Sequence, residues 1–405
     1  MISVTGDVSI TTRSEACDWK GWFIMQKVIV NTAENYRFDR VLQSLEKIFD
    51  QMGGLENIIK PGMRVAIKPN LLMAKKPDEA TTTHPTVIKA IITLVQKAGG
   101  IASLVESPGG PYNTTLLKRV YATTGMEAVA TETGAELNFD LRVEKIENHE
   151  AKCIKTLKIL KPLADADLVI NAAKLKTHGM MVYSGAVKNM FGSIAGMEKA
   201  DYHLRMSEYD QFADSLIDIY LATKPQINVI DGIIAMEGEG PSSGVPKYLG
   251  VLLASEDAFA CDYAALQIIG VDYKAVPVLR MAEKRGLFQK DQVEVVGVEI
   301  DSVKPDDFDV PALNHIKPTS RSIILNFIAK KFRPQPQIVP EKCLLCGKCM
   351  EICPPKAITR SQDKGMIIDY NKCISCFCCH EFCPEKAVKI KKNALRRILE
   401  YKRLS

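Results

Sequence analysis

The sequence predicts an α/β fold: a mostly parallel sheet with helices on both faces, followed by a small α+β domain built around cysteines. Three observations predict it. Short β-rich runs alternate with helical patterns from residue 27 to about residue 300. Those runs are continuously apolar rather than alternating, as strands buried on both faces are. Nine of the 12 cysteines fall between Cys343 and Cys383, while Cys17, Cys153 and Cys261 are scattered.

The elements follow in order. Residues 1–24 show no period and read as an N-terminal arm. Lys27-Val-Ile-Val-Asn31 is the first strand, followed by a helix over Phe38–Met52 with apolar residues at helical spacing. Further strands are predicted at Arg64–Lys68, Ala102–Glu106, Asp167–Asn171, Ile227–Asp231 and Val251–Ala254. Helices are predicted over Pro85–Ala98, which Gly99-Gly100 ends, over Tyr209–Ala222 and over Asp257–Ile269. Repeated strand–helix units imply parallel strands with crossover helices, so residues 25–300 form the core domain. Six prolines punctuate residues 301–340 (Pro305, Pro311, Pro318, Pro334, Pro336 and Pro340), a linker in which Ser320–Phe332 has the pattern of a short amphipathic helix. The cysteine domain spans residues 341–392, and residues 393–405 are a basic tail. From Pro384 to Ser405 there are eight Lys or Arg against two Glu, a set of charges that reads as a solvated helix end or, alternatively, could steer an acidic partner.

Composition excludes several classes. With 405 residues, 46% apolar and 25% charged, the chain is neither disordered nor fibrous. A net charge of +5 is too small at this length to point to nucleic acid. No run approaches the ~18 apolar residues of a membrane span, and no charged-apolar-small order of a secretory signal opens the chain. Cysteines gathered in one segment, rather than spread as a disulfide scaffold, indicate a metal domain in a cytoplasmic protein.

The cysteine spacing is specific. Cys343, Cys346, Cys349 and Cys353 are followed by Pro354; Cys373, Cys376, Cys379 and Cys383 repeat the spacing and are followed by Pro384. Two such runs are the bacterial ferredoxin arrangement for two [4Fe–4S] clusters, in which the fourth cysteine of each run ligates the other cluster. Cluster one would use Cys343, Cys346, Cys349 and Cys383; cluster two would use Cys373, Cys376, Cys379 and Cys353. A pair of zinc sites would instead show two cysteine pairs separated by a longer loop. Cys378 lies outside the repeat and reads as a packed thiol. Over about 45 residues this segment resembles the two-cluster ferredoxins, which implies electron transfer with a redox partner protein such as a ferredoxin or flavodoxin.

In the core, polar residues gather at the predicted strand ends, where open α/β sheets place their ligands. They are Lys68-Pro-Asn70, Thr83-His84-Pro85, Glu106-Ser-Pro-Gly-Gly110, Lys174-Leu-Lys-Thr-His178 (Lys174, Lys176 and His178), Lys188-Asn189 and Asp231-Gly232. The glycines after Glu106 permit close backbone approach to a ligand. The excess of lysine over carboxylate points to an anionic small molecule. No Gly-x-Gly-x-x-Gly or Walker loop follows a strand, which disfavours a standard dinucleotide or nucleotide site. His178 suits proton transfer by its ordinary pKa, and Glu106 and Asp231 have the alternative role of capping the following helices.

Together Lys68-Pro-Asn70-Leu, Thr83-His84-Pro85, Glu106-Ser107, the stretch from Lys174 to Gly192, and Asp231-Gly232 resemble the DUF362 family over roughly residues 27–290. The resemblance supports the fold and implies no reaction. His178, Ser184-Gly185 and Lys188 are also similar to a motif of the nickel-pincer lactate racemases. That similarity implies Lys188 as the anchor of a further cofactor, His178 as the proton-transfer group and His84 as a second one. The sequence departs from that family in carrying no further nickel-binding histidine except His203 as a nearby candidate, and in having the cysteine domain.

The expected function is therefore iron–sulfur electron transfer, as an oxidoreductase passing electrons from two [4Fe–4S] clusters to an anionic substrate or cofactor in the core. Lys68, Asn70, Glu106, Lys174, Lys176, Asn189 and Asp231 would bind it, and His178, His84 and Lys188 would act on it. The alternative is a non-catalytic electron carrier or iron–sulfur accessory protein whose core docks a partner.

Overall fold

The computed structural model describes residues 25–311, 334–363 and 365–391. The predicted arm, the Ser320–Phe332 helix and the basic tail lie outside the described residues.

The core strands are β1 (Gln26–Thr32), β2 (Arg64–Pro69), β3 (Ile101–Leu104), β4 (Glu136–Leu137), β5 (Val143–Glu147), β6 (Thr156–Leu160), β7 (Leu168–His178), β8 (Val182–Ser184), β9 (Ile227–Glu237), β10 (Val245–Ser255) and β11 (Val293–Gly297). Nine of them form one sheet in the order β11-β1-β10-β9-β7-β2-β3-β4, with β8 paired to β7. The pairs β11–β1, β9–β7, β7–β2, β2–β3 and β3–β4 are parallel; β1–β10, β10–β9 and β7–β8 are antiparallel. The expected mostly parallel sheet is present, with an antiparallel excursion through β10.

The continuous apolar runs divide by alternation, because successive side chains in a strand point to opposite faces. Val28, Val30, Ala66 and Val169 enter one core with the helices Tyr209–Thr223, Ala258–Ile268 and Pro277–Lys284. Ile29, Val65, Ile67 and Ile170 enter the other with the helices Phe38–Gln51 and Pro85–Lys97. In Phe38–Gln51 the buried set Val41, Leu45, Ile48 and Phe49 is one helical stripe. His84 caps Pro85–Lys97 by accepting the Thr86 N–H, and Pro85 opens it.

Two differences from the sequence reading bear on the site. β7 runs to His178 and β9 to Glu237, so Lys174, Lys176 and His178 are strand residues on one face, not a loop after a strand. β7 outruns its apolar segment because Lys174 and Lys176 on it are buried and hydrogen-bonded, while β9 continues through the apolar Ile233-Ile-Ala-Met236. The antiparallel hairpin β5–β6 also went unpredicted; Asp218 fastens the loop between its strands by accepting the N–H groups of Lys152, Cys153 and Ile154.

The cysteine lobe contains β12 (Gln335–Ile338), β13 (Ile358–Ser361), β14 (Gly365–Ile368) and β15 (Val388–Lys391), paired β12–β15 and β13–β14. β12 lies inside the stretch expected as linker. Its pairing with β15 ties the start of the lobe to its end. The lobe repeats itself internally. Leu345 and Ser375, Gly347 and Phe377, and Lys356 and Lys386 are matched positions of the two runs, and all have positive φ. The Cys353 and Cys383 sulfurs each accept a backbone N–H, from Ala357 and Ala387.

Candidate functional site

The polar residues singled out in the sequence separate into two groups. In the first, Lys174 Nζ lies 2.9 Å from Asp231 Oδ2 and 2.8 Å from the Tyr36 hydroxyl, and Tyr36 donates to Asp231 Oδ1 at 2.9 Å. Asp231 also accepts the His84 N–H at 3.0 Å, and the His84 ring stacks on Tyr36 at 3.5 Å. Burial pushes the Lys174 pKa down against the pull of Asp231, and pushes His84 to about 4. Lys174 and Asp231, both buried, compensate each other within this cluster, and none of the four residues borders the cavity described next. His84 caps the helix that Pro85 opens, accepting the Thr86 N–H at Nδ1, and Asp231 caps no helix.

The second group surrounds a cavity of about 70 Å³ between core and cysteine lobe. From the core come Asn70, Glu106, Lys176, Ser184, Lys188, Asn189, Lys199 and His203; from the cysteine lobe, Ile352, Cys378, Glu381 and Phe382. The short turn Ala186–Asn189 delivers Lys188. That turn is held by Asp262, whose carboxylate accepts the Ala186 and Val187 N–H groups at 2.6 and 3.1 Å. Burial raises Asp262 to about 7 against those bonds.

Lys68 lies behind the wall, paired with Glu106 at 3.1 Å, both side chains buried. Glu106 also accepts the Leu71 and Ser107 N–H groups, so it joins a strand end to its loop instead of capping a helix. A Cβ at Gly192 would overlap Glu106 Oε1, so only glycine lets the backbone pass over this pair. Asn70 donates to Asn189 Oδ1, and Asn189 to Asn171 Oδ1, both at 2.8 Å. Lys176 Nζ donates to Asn70 Oδ1 and the Thr81 carbonyl, each at 2.7 Å.

Burial, reinforced by Lys188, lowers Lys176 to about 7, and burial lowers Lys199 to about 7 and also lowers Lys188. Lys199 is clasped by the Ser107 carbonyl and hydroxyl and the Pro108 carbonyl. Lys188 Nζ stands 5.8 Å from the Phe191 ring centroid, with no carboxylate in ion-pair reach among the described residues. The sequence reading missed Lys199, which carries no motif, and Glu381, hidden among the cysteines.

His178 stands just outside this lining. Its Nδ1 accepts the Met180 and Met181 N–H groups at 3.0 and 3.1 Å, which leaves the proton on Nε2, 3.9 Å from Glu381 Oε2. Burial, then Lys188 and His203, push its pKa well below 6.5. This departs from the expected near-neutral titration: burial favours the neutral imidazole, with its proton on Nε2. His178 Nε2 and His203 Nδ1 are both buried without a hydrogen-bond partner.

The eight repeat cysteines line two further cavities. Cys343, Cys346, Cys349 and Cys383 border one; Cys353, Cys373, Cys376 and Cys379 border the other. Each set takes its fourth thiol from the opposite run. Among the described residues no three His, Cys, Asp or Glu converge to hold a single metal ion. The donor chemistry, four thiols around a space, fits a cubane cluster. Cys378 borders both the second of these cavities and the lysine-lined one. The Pro-Gly-Gly turn after Glu106 admits the Phe382 ring of the lobe, which a Cβ at Gly109 would overlap.

An α/β core joined to a lobe of repeated four-cysteine runs is the layout of an iron–sulfur protein, and the 4Fe-4S binding domain matches residues 336–359. The domain of unknown function DUF362 matches residues 65–267, and the chain belongs to that family. It is 32% identical over 272 residues to the "Thylakoid-associated protein sll1697" of Synechocystis sp., covering 65% of this chain and 81% of that one. Among solved structures, the lactate racemase apoprotein from Thermoanaerobacterium thermosaccharolyticum is similar at 15% identity and a TM-score of 0.38. The similarity covers 60% of this chain and 58% of that one, and at this level it says nothing of chemistry. No described helix is long and apolar enough to cross a membrane.

Proposed function

We propose that this protein is a cytoplasmic iron–sulfur oxidoreductase in which two [4Fe–4S] clusters serve an anionic substrate or cofactor held between the core and the cysteine lobe. The observation that carries the reading is the position of Cys378, whose side chain borders both the second cysteine cavity and the lysine-lined cavity. Support for two clusters comes from the cysteine sets, each completed by a thiol from the opposite run. Such clusters supply low-potential one-electron chemistry, and a ferredoxin- or flavodoxin-like protein is the expected partner.

The chain's own residues do the rest. Lys188, held by the Asp262-anchored turn, offers its ammonium to the anion. Lys176 and Lys199 add charge when protonated. Asn70 and Asn189 fix Lys176 through their hydrogen-bonded chain. His178 holds a proton at Nε2 beside Glu381, and His203 offers an unpartnered Nδ1. Lys174, Asp231 and His84 contribute stability rather than binding.

The test is electron paramagnetic resonance on anaerobically purified, dithionite-reduced protein, with and without sulfate as the anionic probe. The expected result is a signal change on adding sulfate to wild type, lost in Lys188→Ala at unchanged iron content. A signal indifferent to sulfate in both proteins would instead favour the carrier reading.

A further inference from the structure

The two cysteine runs share spacing and backbone, yet their surroundings differ. In the first run Cys346 is exposed, and beside it Leu344 is 70% and Met350 41% exposed. In the second run Cys376, which matches Cys346, and Cys379, which matches the half-buried Cys349, are buried, with Phe377 and Cys378. Among the described residues, the hydrogen bonds and ion pair that seat the lobe on the core come from the second run and from β15. His380 Nε2 meets the Glu239 carbonyl at 3.1 Å, the Ser242 hydroxyl donates to the Glu381 carbonyl at 2.5 Å, and Lys389 pairs with Glu239. Phe382 fills the space over Gly109, and Ile390 that over Gly179.

An internal repeat with one half against solvent and the other against the core divides the labour of its two thiolate sets. We propose that the Cys343–Cys346–Cys349–Cys383 set is the port that exchanges single electrons with donors in solution, and that the Cys353–Cys373–Cys376–Cys379 set, behind the Cys378 wall, is the terminus that faces the lysine-lined cavity. This rests on the two-cluster reading and adds an order to it. A one-electron donor in solution is oxidised at the first set, and the molecule in the cavity meets only the second. Solvent exposure and local hydrogen bonding tune such clusters, so the two sets differ in accessibility and potential despite identical ligands.

The order is tested without turnover. Anaerobic full-length holoprotein is mixed with the hydrophilic iron chelator bathophenanthroline disulfonate, and freed thiols are trapped by pulses of iodoacetamide and located by peptide mass spectrometry. Cys343, Cys346, Cys349 and Cys383 are expected to be labelled in a fast phase and Cys353, Cys373, Cys376 and Cys379 in a phase roughly tenfold slower or more, since the latter need local opening. In Cys378→Ala, which thins the wall between the two cavities, the slow phase is expected to quicken severalfold while the fast phase is unchanged. Simultaneous labelling of both sets, the reverse order, or a slow phase indifferent to Cys378→Ala would overturn the proposal. Iron for only one cluster, with one complete set labelled before chelator is added, would overturn the two-cluster reading instead, and the proposal with it.

Discussion

Lys174, buried in β7, and Lys188, half-buried on the turn Ala186–Asn189, have neighbours that give them opposite roles. Lys174 has Asp231 and Tyr36 within hydrogen-bond reach, whereas Lys188 has an aromatic face and a cavity. Replacing Lys188 by alanine is expected to weaken sulfate binding by about tenfold or more, the scale of a lost charge-assisted contact, with thermal stability nearly unchanged; calorimetric titration measures the first and a melting curve the second. Lys176 and Lys199, both lowered to about 7 mainly by burial, give the site a pH dependence. Each is charged below that value and neutral above it, so sulfate affinity is expected to be highest in mild acid and to fall as pH rises through 7. Stability runs the other way. The unfolded lysines hold their protons up to about 10.4 while the folded ones release theirs near 7, so these two groups make the fold more stable as pH climbs through that window. Titrations of affinity and of denaturation midpoint against pH check both signs.

At the scale of elements, β7 and β9 place the chemistry. Asp231→Asn would leave the buried Lys174 without its carboxylate partner, and a loss of about 3–5 kcal/mol is expected in chemical denaturation, the cost of breaking a buried pair. Gly192→Ala would drive a methyl into Glu106 and is expected to cost about 1–3 kcal/mol by overpacking, measured in the same way. These elements also show what the sequence made legible. The buried strand cores and the helix stripes were readable because continuous apolar runs and i, i+4 spacing have few alternatives. The extension of β7 through Lys174, Lys176 and His178 was not, because hydropathy cannot tell a polar loop from a polar strand face whose charges are partnered by distant residues. For the same reason the site residues were found as one list, and their division between a structural cluster and a cavity became visible only with Tyr36 and Glu381 in place. Tyr36 belongs to no motif, and Glu381 sits at a non-ligand position between Cys379 and Cys383.

For the whole molecule, the meeting of the two lobes makes the site. The cavity has core lysines on one side and the flank of a cysteine run on the other, so neither lobe alone encloses it. Gly109→Ala is expected to displace Phe382 and loosen the lobe, raising the alkylation rate of Cys378 while iron content is kept. An unchanged rate would mean that the Phe382 contact does not seal the cavity. The cysteine runs were the most legible feature of the chain because thiolate spacing is dictated by cluster geometry, whereas the seating of the lobe depends on single contacts such as His380 with Glu239 that no spacing announces. The central claim, two clusters beside an anion-binding cavity, is tested most directly by native mass spectrometry of the anaerobically purified full chain. The account predicts the mass of the polypeptide plus two [4Fe–4S] clusters, with sulfate adducts retained in wild type and lost in Lys188→Ala. A mass corresponding to one cluster, or to zinc ions in place of clusters, would contradict it.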